Sequence, residues 1–194
     1  MKKLLLLLCF VFIHQVVYPV YFKHLGMSDG LSQVSVMSIY QDCLGRMWFG
    51  TREGVSIYDG ERMRVYKGWE NLDPESSINV LLGHECDHLT GNRQGDIFFR
   101  TCDSLVRYDI REEKFCVVSG CKAKTITSAD GDIWTGYDDM VCRYDEKGDS
   151  LQLYAKTNTP GISSLLISGK KIWIGTYEGL YVIEEDKKVR CLIE

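Results

Sequence analysis

Between residues 34 and 67 apolar and polar positions alternate in short runs separated by turn-forming residues, the period-two pattern of half-buried strands. Val34 to Gln41 is β-branched and aromatic. Asp42-Cys43-Leu44-Gly45 has turn chemistry, and Arg46 to Thr51 reads as a second strand. Arg52-Glu53-Gly54 is a loop, Val55 to Tyr58 a third strand, Asp59-Gly60 a hairpin dipeptide and Met63 to Lys67 a fourth strand. The expected unit is a sheet of four antiparallel strands.

The stretch Gly45 to Asp59 recurs three more times in register. Its anchor is Trp48, with equivalents Phe98, Trp134 and Trp173, spaced 50, 36 and 39 residues apart. An apolar residue precedes each anchor (Met47, Ile97, Ile133, Ile172). Another follows seven positions later (Val55, Leu105, Val141, Leu180), and an aromatic or aliphatic residue ten later (Tyr58, Tyr108, Tyr144, Ile183). Spacings of this size mark a propeller or solenoid. The expected fold is all-β: β-propeller blades of four antiparallel strands in about four repeats, near 34–67, 79–118, 122–155 and 162–193. The polar stretch Gly68 to Ser77, with Asp73-Pro74, links the first two. Propellers close with four to eight blades, so an incomplete propeller is expected, unless the four repeats close tightly. It would pair with another copy or be the front piece of a longer chain.

If the strands alternate in direction, the first and third turns of each repeat share one end. The loop after the second strand and the linker to the next repeat share the other, the usual propeller ligand face. That loop carries Arg52 and Glu53, Cys102 and Asp103, Asp138 and Asp139, and Tyr177 and Glu178, so an acid lies five residues after every anchor. Ionised acceptors make the stronger hydrogen bonds to sugar hydroxyls. The candidate ligand-binding set is therefore Arg52, Glu53, Asp103, Asp139, Tyr177 and Glu178, against the plainer expectation that the acids cap their turns through backbone N–H groups. The recurring tryptophans are expected to pack blades rather than stack on sugars. Asp59, Asp109, Asp145 and Glu184, at the opposite hairpins, are expected to be structural.

Net charge is −4 over 194 residues, which excludes an electrostatic nucleic-acid binder. Lys2 and Lys3 precede an apolar run from Leu4 to Ile13, too short to span a bilayer, so residues 1–20 read as a signal peptide or N-terminal anchor. Export is the consequence, with membrane contact only through an uncleaved or missing anchor. Losing these two lysines takes the net charge to −6. Seven of the eight cysteines lie beyond Cys9, an odd number without CxxC spacing. Cys116 and Cys121 are a possible pair across a turn, although isolated buried thiols are the commoner state. His84, Cys86 and His88 would share one face of a strand, but ligands on a flat strand converge poorly, so no metal and no cofactor are expected. No G-x-S-x-G, H-E-x-x-H or phosphate-cradling glycine loop is present, and no catalytic residue is assigned.

Asp42, Gly45, Trp48, Gly50, Thr51, Gly54, Tyr58, Asp59 and Gly60, led in by His24 to Ser32, resemble the start of the periplasmic sensor region of hybrid two-component systems of gut Bacteroides. The resemblance covers Tyr21 to Glu194. It weakens in the second repeat, where Phe98 replaces the tryptophan and Arg100 the glycine, and in the third, where Thr135-Gly136-Tyr137 shifts the ending. It implies a β-propeller sensor of glycan-derived oligosaccharides, part of an inner-membrane protein whose kinase and output domains are absent from this chain. The chain itself is then no enzyme. Its partners would be an oligosaccharide and the remaining propeller and signalling domains, or a second copy. The alternatives are a propeller-type polysaccharide lyase or glycosidase, and a protein-interaction scaffold.

Overall fold

The computed structural model describes residues 21–67, 85–102 and 104–193, without the side chains of 119–121. Among the described residues sixteen strands follow one 3-10 turn at Met27–Asp29. Blade 1 comprises β1 (Val36–Gln41), β2 (Met47–Thr51), β3 (Gly54–Tyr58) and β4 (Met63–Tyr66). Blade 2 comprises β5 (Cys86–Gly91), β6 (Ile97–Thr101), β7 (Ser104–Asp109) and β8 (Lys114–Lys122). Blade 3 has β9 (Thr125–Ala129), β10 (Asp132–Tyr137), β11 (Met140–Asp145) and β12 (Ser150–Lys156). Blade 4 has β13 (Ile162–Ser168), β14 (Lys171–Thr176), β15 (Leu180–Ile183) and β16 (Val189–Ile193). Each blade is an antiparallel meander, and one parallel bridge, Ser150 to Ser119, joins the outer strands of blades 2 and 3. The first strands stand side by side, β1 against β5, β5 against β9 and β9 against β13, so the blades fan from a common axis in an arc that does not close. The propeller expectation is met.

The repeat offsets explain the fan. Side chains alternate across a strand, so each anchor points at the next blade while its two neighbours point back. Trp48, Val55 and Ile57 of blade 1 bury against Ile97, Phe99, Val106 and Tyr108 of blade 2. Phe98 and Leu105 bury against Ile126, Ile133 and Tyr144 of blade 3. Trp134 and Val141 meet Ile162, Ile172, Ile174 and Ile183 of blade 4. The residue ten positions after an anchor receives the anchor of the blade before it: Trp48 meets Tyr108 edge-on at 4.9 Å and Phe98 meets Tyr144 at 4.8 Å. Such pairs add about 0.5–1.5 kcal/mol beyond area burial.

Glycine two places after the anchor lets neighbouring strands approach closely. A Cβ on Gly50 would lie 2.4 Å from the carbonyl oxygen of Cys86, and one on Gly136 would lie 2.5 Å from Cγ2 of Ile162. The first turn of blade 1 is held by Asp42, whose side chain is fully buried. Its Oδ1 accepts from the backbone N–H of Leu44 (3.0 Å) and Arg46 (2.9 Å). Its Oδ2 accepts from Nε of Arg46 (2.6 Å) and Nε1 of Trp48 (2.8 Å). Burial alone pushes this carboxyl up, but the bonds from Trp48 and Arg46 outweigh it and hold it below the ordinary range.

Two expectations need correction. Cys116 and Cys121 are not separated by a turn, because β8 runs through both. The register of β8 against β7 shifts between Val117 and Lys122, and the Cys116 thiol is free. Nor are the thiols uniformly buried: Cys86 and Cys142 are, whereas Cys43, Cys102 and Cys191 are exposed.

Candidate functional site

Hydrogen bonds between turns fix which loops share an end. The backbone N–H of Arg93, in the first turn of blade 2, donates to the carbonyl of Gly131 in the first turn of blade 3 (3.1 Å), and Gln94 reaches Glu146 in that blade's third turn (2.6 Å). At the other end the linker after blade 3 touches the β10–β11 loop: Thr157 N–H donates to the Asp139 carbonyl (2.8 Å), and Ile162 N–H to that of Asp138 (3.0 Å).

The candidates lie at this second end. Arg52 and Glu53 are exposed on the β2–β3 turn, and Tyr177 and Glu178 on the β14–β15 turn; Asp139 is half-buried. Asp103 falls outside the described residues. The β2–β3 and β14–β15 turns are capped by threonine, the last residue of W-x-G-T. Thr51 Oγ1 accepts from Glu53 N–H (3.1 Å) and donates to the Gly54 carbonyl (3.0 Å). Thr176 Oγ1 accepts from the N–H groups of Glu178 (3.2 Å) and Gly179 (3.1 Å). With the hydroxyls at those N–H groups, the carboxylates project outward. Glu53 comes within 3.8 Å of Lys67, and Asp139 within 3.7 Å of Lys156. Tyr177, 77 % exposed, lays its ring over Gly161, where a Cβ would come within 2.6 Å of it. The chain thus displays carboxylates, a guanidinium and an aromatic ring on tight turns at one end of the arc.

The same end holds a cluster for which no role was foreseen. Where the other blades pair a small hydroxyl residue with the glycine of the repeat (Ser38 with Gly50, Thr125 with Gly136, Ser164 with Gly175), blade 2 pairs Asp87 with Arg100. Arg100 Nε donates to Oδ1 of Asp87 (2.8 Å), and its Nη2 bonds Oδ2. His88 Nδ1 lies 2.9 Å from Oδ1 of Asp87, off the line of a good hydrogen bond. Burial pushes the Asp87 carboxyl up, yet the bonds from Arg100, with His88 close by, prevail and bring it down to about 2. The register slips between Asp87 and Thr90, and His88 sits at φ 53°. Left-handed backbone at a residue other than glycine is an accommodation that clusters at binding sites. The bulge also breaks the alternation that would align Cys86 with His88, and His84 falls outside the described residues. Among the described residues no group of three His, Cys, Asp or Glu side chains is placed to hold a metal ion. The signal in the sequence was Arg100 standing at the glycine position of W-x-G.

The opposite end carries the second acid set, in structural roles. Asp59 Oδ1 accepts from the N–H groups of Glu61 (3.0 Å) and Arg62 (2.8 Å), and Asp109 Oδ1 from those of Arg111 (2.9 Å) and Glu112 (3.0 Å). Arg107 gathers Asp96 (3.2 Å), Asp109 (2.9 Å) and Asp149 (3.2 Å), tying blade 2 to a turn of blade 3. A polar cleft of about 510 Å³ opens there, among Arg93, Arg143, Glu146, Tyr154 and Lys187.

Comparison with known proteins follows this geometry. The extracellular domain of a protein assigned as a hybrid two-component system in Bacteroides thetaiotaomicron superposes over 89 % of the chain, with a TM-score of 0.74 and 23 % identity. The chain shares the fold of part of that extracellular domain. The chain spans 26 % of that structure. It is also 41 % identical over 59 residues to Histidine kinase P4 of Formosa agariphila, 30 % of this chain and 4 % of the relative. Propeller enzymes share the fold: a catalytically inactive variant of virginiamycin B lyase from Staphylococcus aureus superposes over 85 % of the chain and 57 % of its own, with a TM-score of 0.59 and 16 % identity. No protein-family model matches the chain. Among the described residues no helix is long and apolar enough to cross a membrane.

Proposed function

We propose that this chain is part of the periplasmic sensing module of a two-component system, exported by its N-terminal segment, and that it binds a glycan-derived oligosaccharide. The ligand meets the end of the arc that carries the second-strand loops. Glu53, Asp139 and Glu178, with Asp103 at the same position of the second repeat, accept hydrogen bonds from sugar hydroxyls, Arg52 donates, and Tyr177 offers an apolar ring face. The observation that carries this reading is the capping of the β2–β3 and β14–β15 turns by Thr51 and Thr176, which leaves the carboxylates of Glu53 and Glu178 free of the turn N–H groups. The rigid pair Asp87 and Arg100, with His88, extends the polar surface to the first strand of blade 2. Signalling output belongs to domains beyond this chain.

The test is calorimetric titration with oligosaccharides from plant and host glycans, alongside a cleavage assay on the parent polymers. Binding without turnover, weakened about tenfold or more by Tyr177→Ala and Glu178→Gln, is the expected result. Turnover would instead make the chain a glycan-cleaving enzyme, and binding untouched by both substitutions would move the site elsewhere.

A further inference from the structure

The polar cleft at the end of the arc opposite the second-strand loops takes no part in the site proposed above. At about 510 Å³ it has the size of a small-molecule pocket. Its walls come from three successive blades: Arg93 and Gln94 from the first turn of blade 2, residues 143–147 and Tyr154 from blade 3, and Lys187 from the β15–β16 hairpin of blade 4. The cleft thus lies inside the arc, with a blade of this chain on either side of blade 3.

Four cations, Arg93, Arg143, Lys147 and Lys187, line it in a chain whose net charge is −4. Its three carboxylates are already engaged. Asp132 accepts from Nη2 of Arg143 (2.7 Å), Asp145 from the side-chain amide of Gln152 (2.8 Å), and Glu146 from that of Gln94 (2.6 Å). Among the described residues no carboxylate lies within ion-pair reach of Arg93, Lys147 or Lys187. Arg93 donates to a neutral group, the carbonyl of Asp130. Lys187 leaves the hairpin from left-handed backbone (φ 58°), which lysine rarely adopts, and its Nζ stands 5.0 Å from the centre of the Tyr154 ring on the neighbouring blade.

We propose that this cleft binds a small organic molecule that carries an oxyanion: a sulfate ester, a phosphate ester or a carboxylate. Guanidinium groups meet such an oxyanion with two parallel hydrogen bonds, and ammonium groups meet it as point charges. The ring of Tyr154 offers its carbon skeleton an apolar surface. Three cations without a carboxylate repel one another across the cleft, and an anion between them turns that repulsion into attraction.

The test is calorimetric titration of the full chain, in buffer free of phosphate and sulfate, with glucose 6-sulfate, glucose 6-phosphate, glucuronic acid and glucose. The four probes share a sugar ring and differ in the oxyanion, so they separate its three sources. At least one of the three anions should bind with a Kd below about 1 mM, and glucose should not bind. Lys147→Gln and Lys187→Gln, both at exposed positions where the fold tolerates change, should each weaken binding about tenfold, the loss of one charge-assisted hydrogen bond. Lys114→Gln, at an exposed lysine outside the cleft, should leave it unchanged. No binding of any of the three anions at about 10 mM overturns the proposal. So does equal binding of glucose, or an affinity indifferent to both substitutions in the cleft. None of these outcomes bears on oligosaccharide binding at the opposite end, which these lysines do not touch.

Discussion

Replacing Gly50 by alanine should destabilise the protein, against the usual direction of such a change. A glycine at ordinary strand dihedrals normally gains about 0.4–1 kcal/mol on becoming alanine, because the unfolded chain loses freedom. Here the new Cβ would lie 2.4 Å from the carbonyl oxygen of Cys86 and 3.1 Å from its carbonyl carbon. A carbon normally approaches a carbonyl oxygen no closer than about 3.3 Å, so blades 1 and 2 must part by about 1 Å. Backbone stands on both sides, and no rotamer change relieves the contact. Parting loosens the packing of Trp48 on Tyr108, and overpacking of this kind costs about 1–3 kcal/mol. The net expectation is a loss of about 1–2 kcal/mol, read as a lower urea midpoint at unchanged m-value. Gly148→Ala is the control: its Cβ comes nearest Ser150 Oγ at 3.0 Å and Asp145 Oδ2 at 3.1 Å, side-chain ends that can turn aside. It should stay within about 0.5 kcal/mol of wild type. A Gly50→Ala protein as stable as wild type would refute close backbone contact as the reason for glycine in W-x-G.

Further outcomes follow from single groups. Asp42→Ala strips the carboxylate from Arg46 and Trp48 in a buried turn and should cost about 3–5 kcal/mol in thermal unfolding; a loss below about 1 kcal/mol would mean that water replaces it. Asp87, lowered from 3.8 to about 2 in the folded state, contributes stability above pH 4 that is lost as pH falls toward 2. The contribution is about 2 kcal/mol, so the gap between wild type and Asp87→Asn should narrow by that amount over this window. A gap constant with pH would sink the assignment. Burial pushes the Cys86 thiol up to about 12, whereas Cys43 and Cys191 are exposed. Cys86→Ser should therefore leave the number of thiols that a disulfide reagent titrates rapidly in the native protein unchanged, and a drop by one would show Cys86 to be accessible.

The blades were legible because each is a local meander whose turns are spelled out, as in Asp42 to Gly45 and Asp59-Gly60. The recurrence of an aromatic ten residues after each anchor was legible too. That Tyr108 receives Trp48 from the preceding blade was not, because offsets within a repeat do not say which face meets which neighbour. The capping of the second-strand loops went to Thr51 and Thr176 rather than to the acids, since a hydroxyl at the strand end reaches the turn N–H groups while the acid one or two places on points outward. Asp87 and Arg100 were hidden as a pair because a register shift in β5 sets their alignment. The departure of Arg100 from glycine was in plain view, and it marks where blade 2 differs in chemistry from its neighbours.

The account rests on sheets packed face to face around one axis, and a double-mutant cycle between Trp48 and Tyr108 tests this most directly. These residues are 60 positions apart in the sequence and touch only if blade 1 lies on blade 2 in the stated register. With each changed to leucine singly and together, urea unfolding should yield a coupling of about 0.5–1.5 kcal/mol. Strictly additive losses, with coupling indistinguishable from zero, would contradict the arrangement of blades described above.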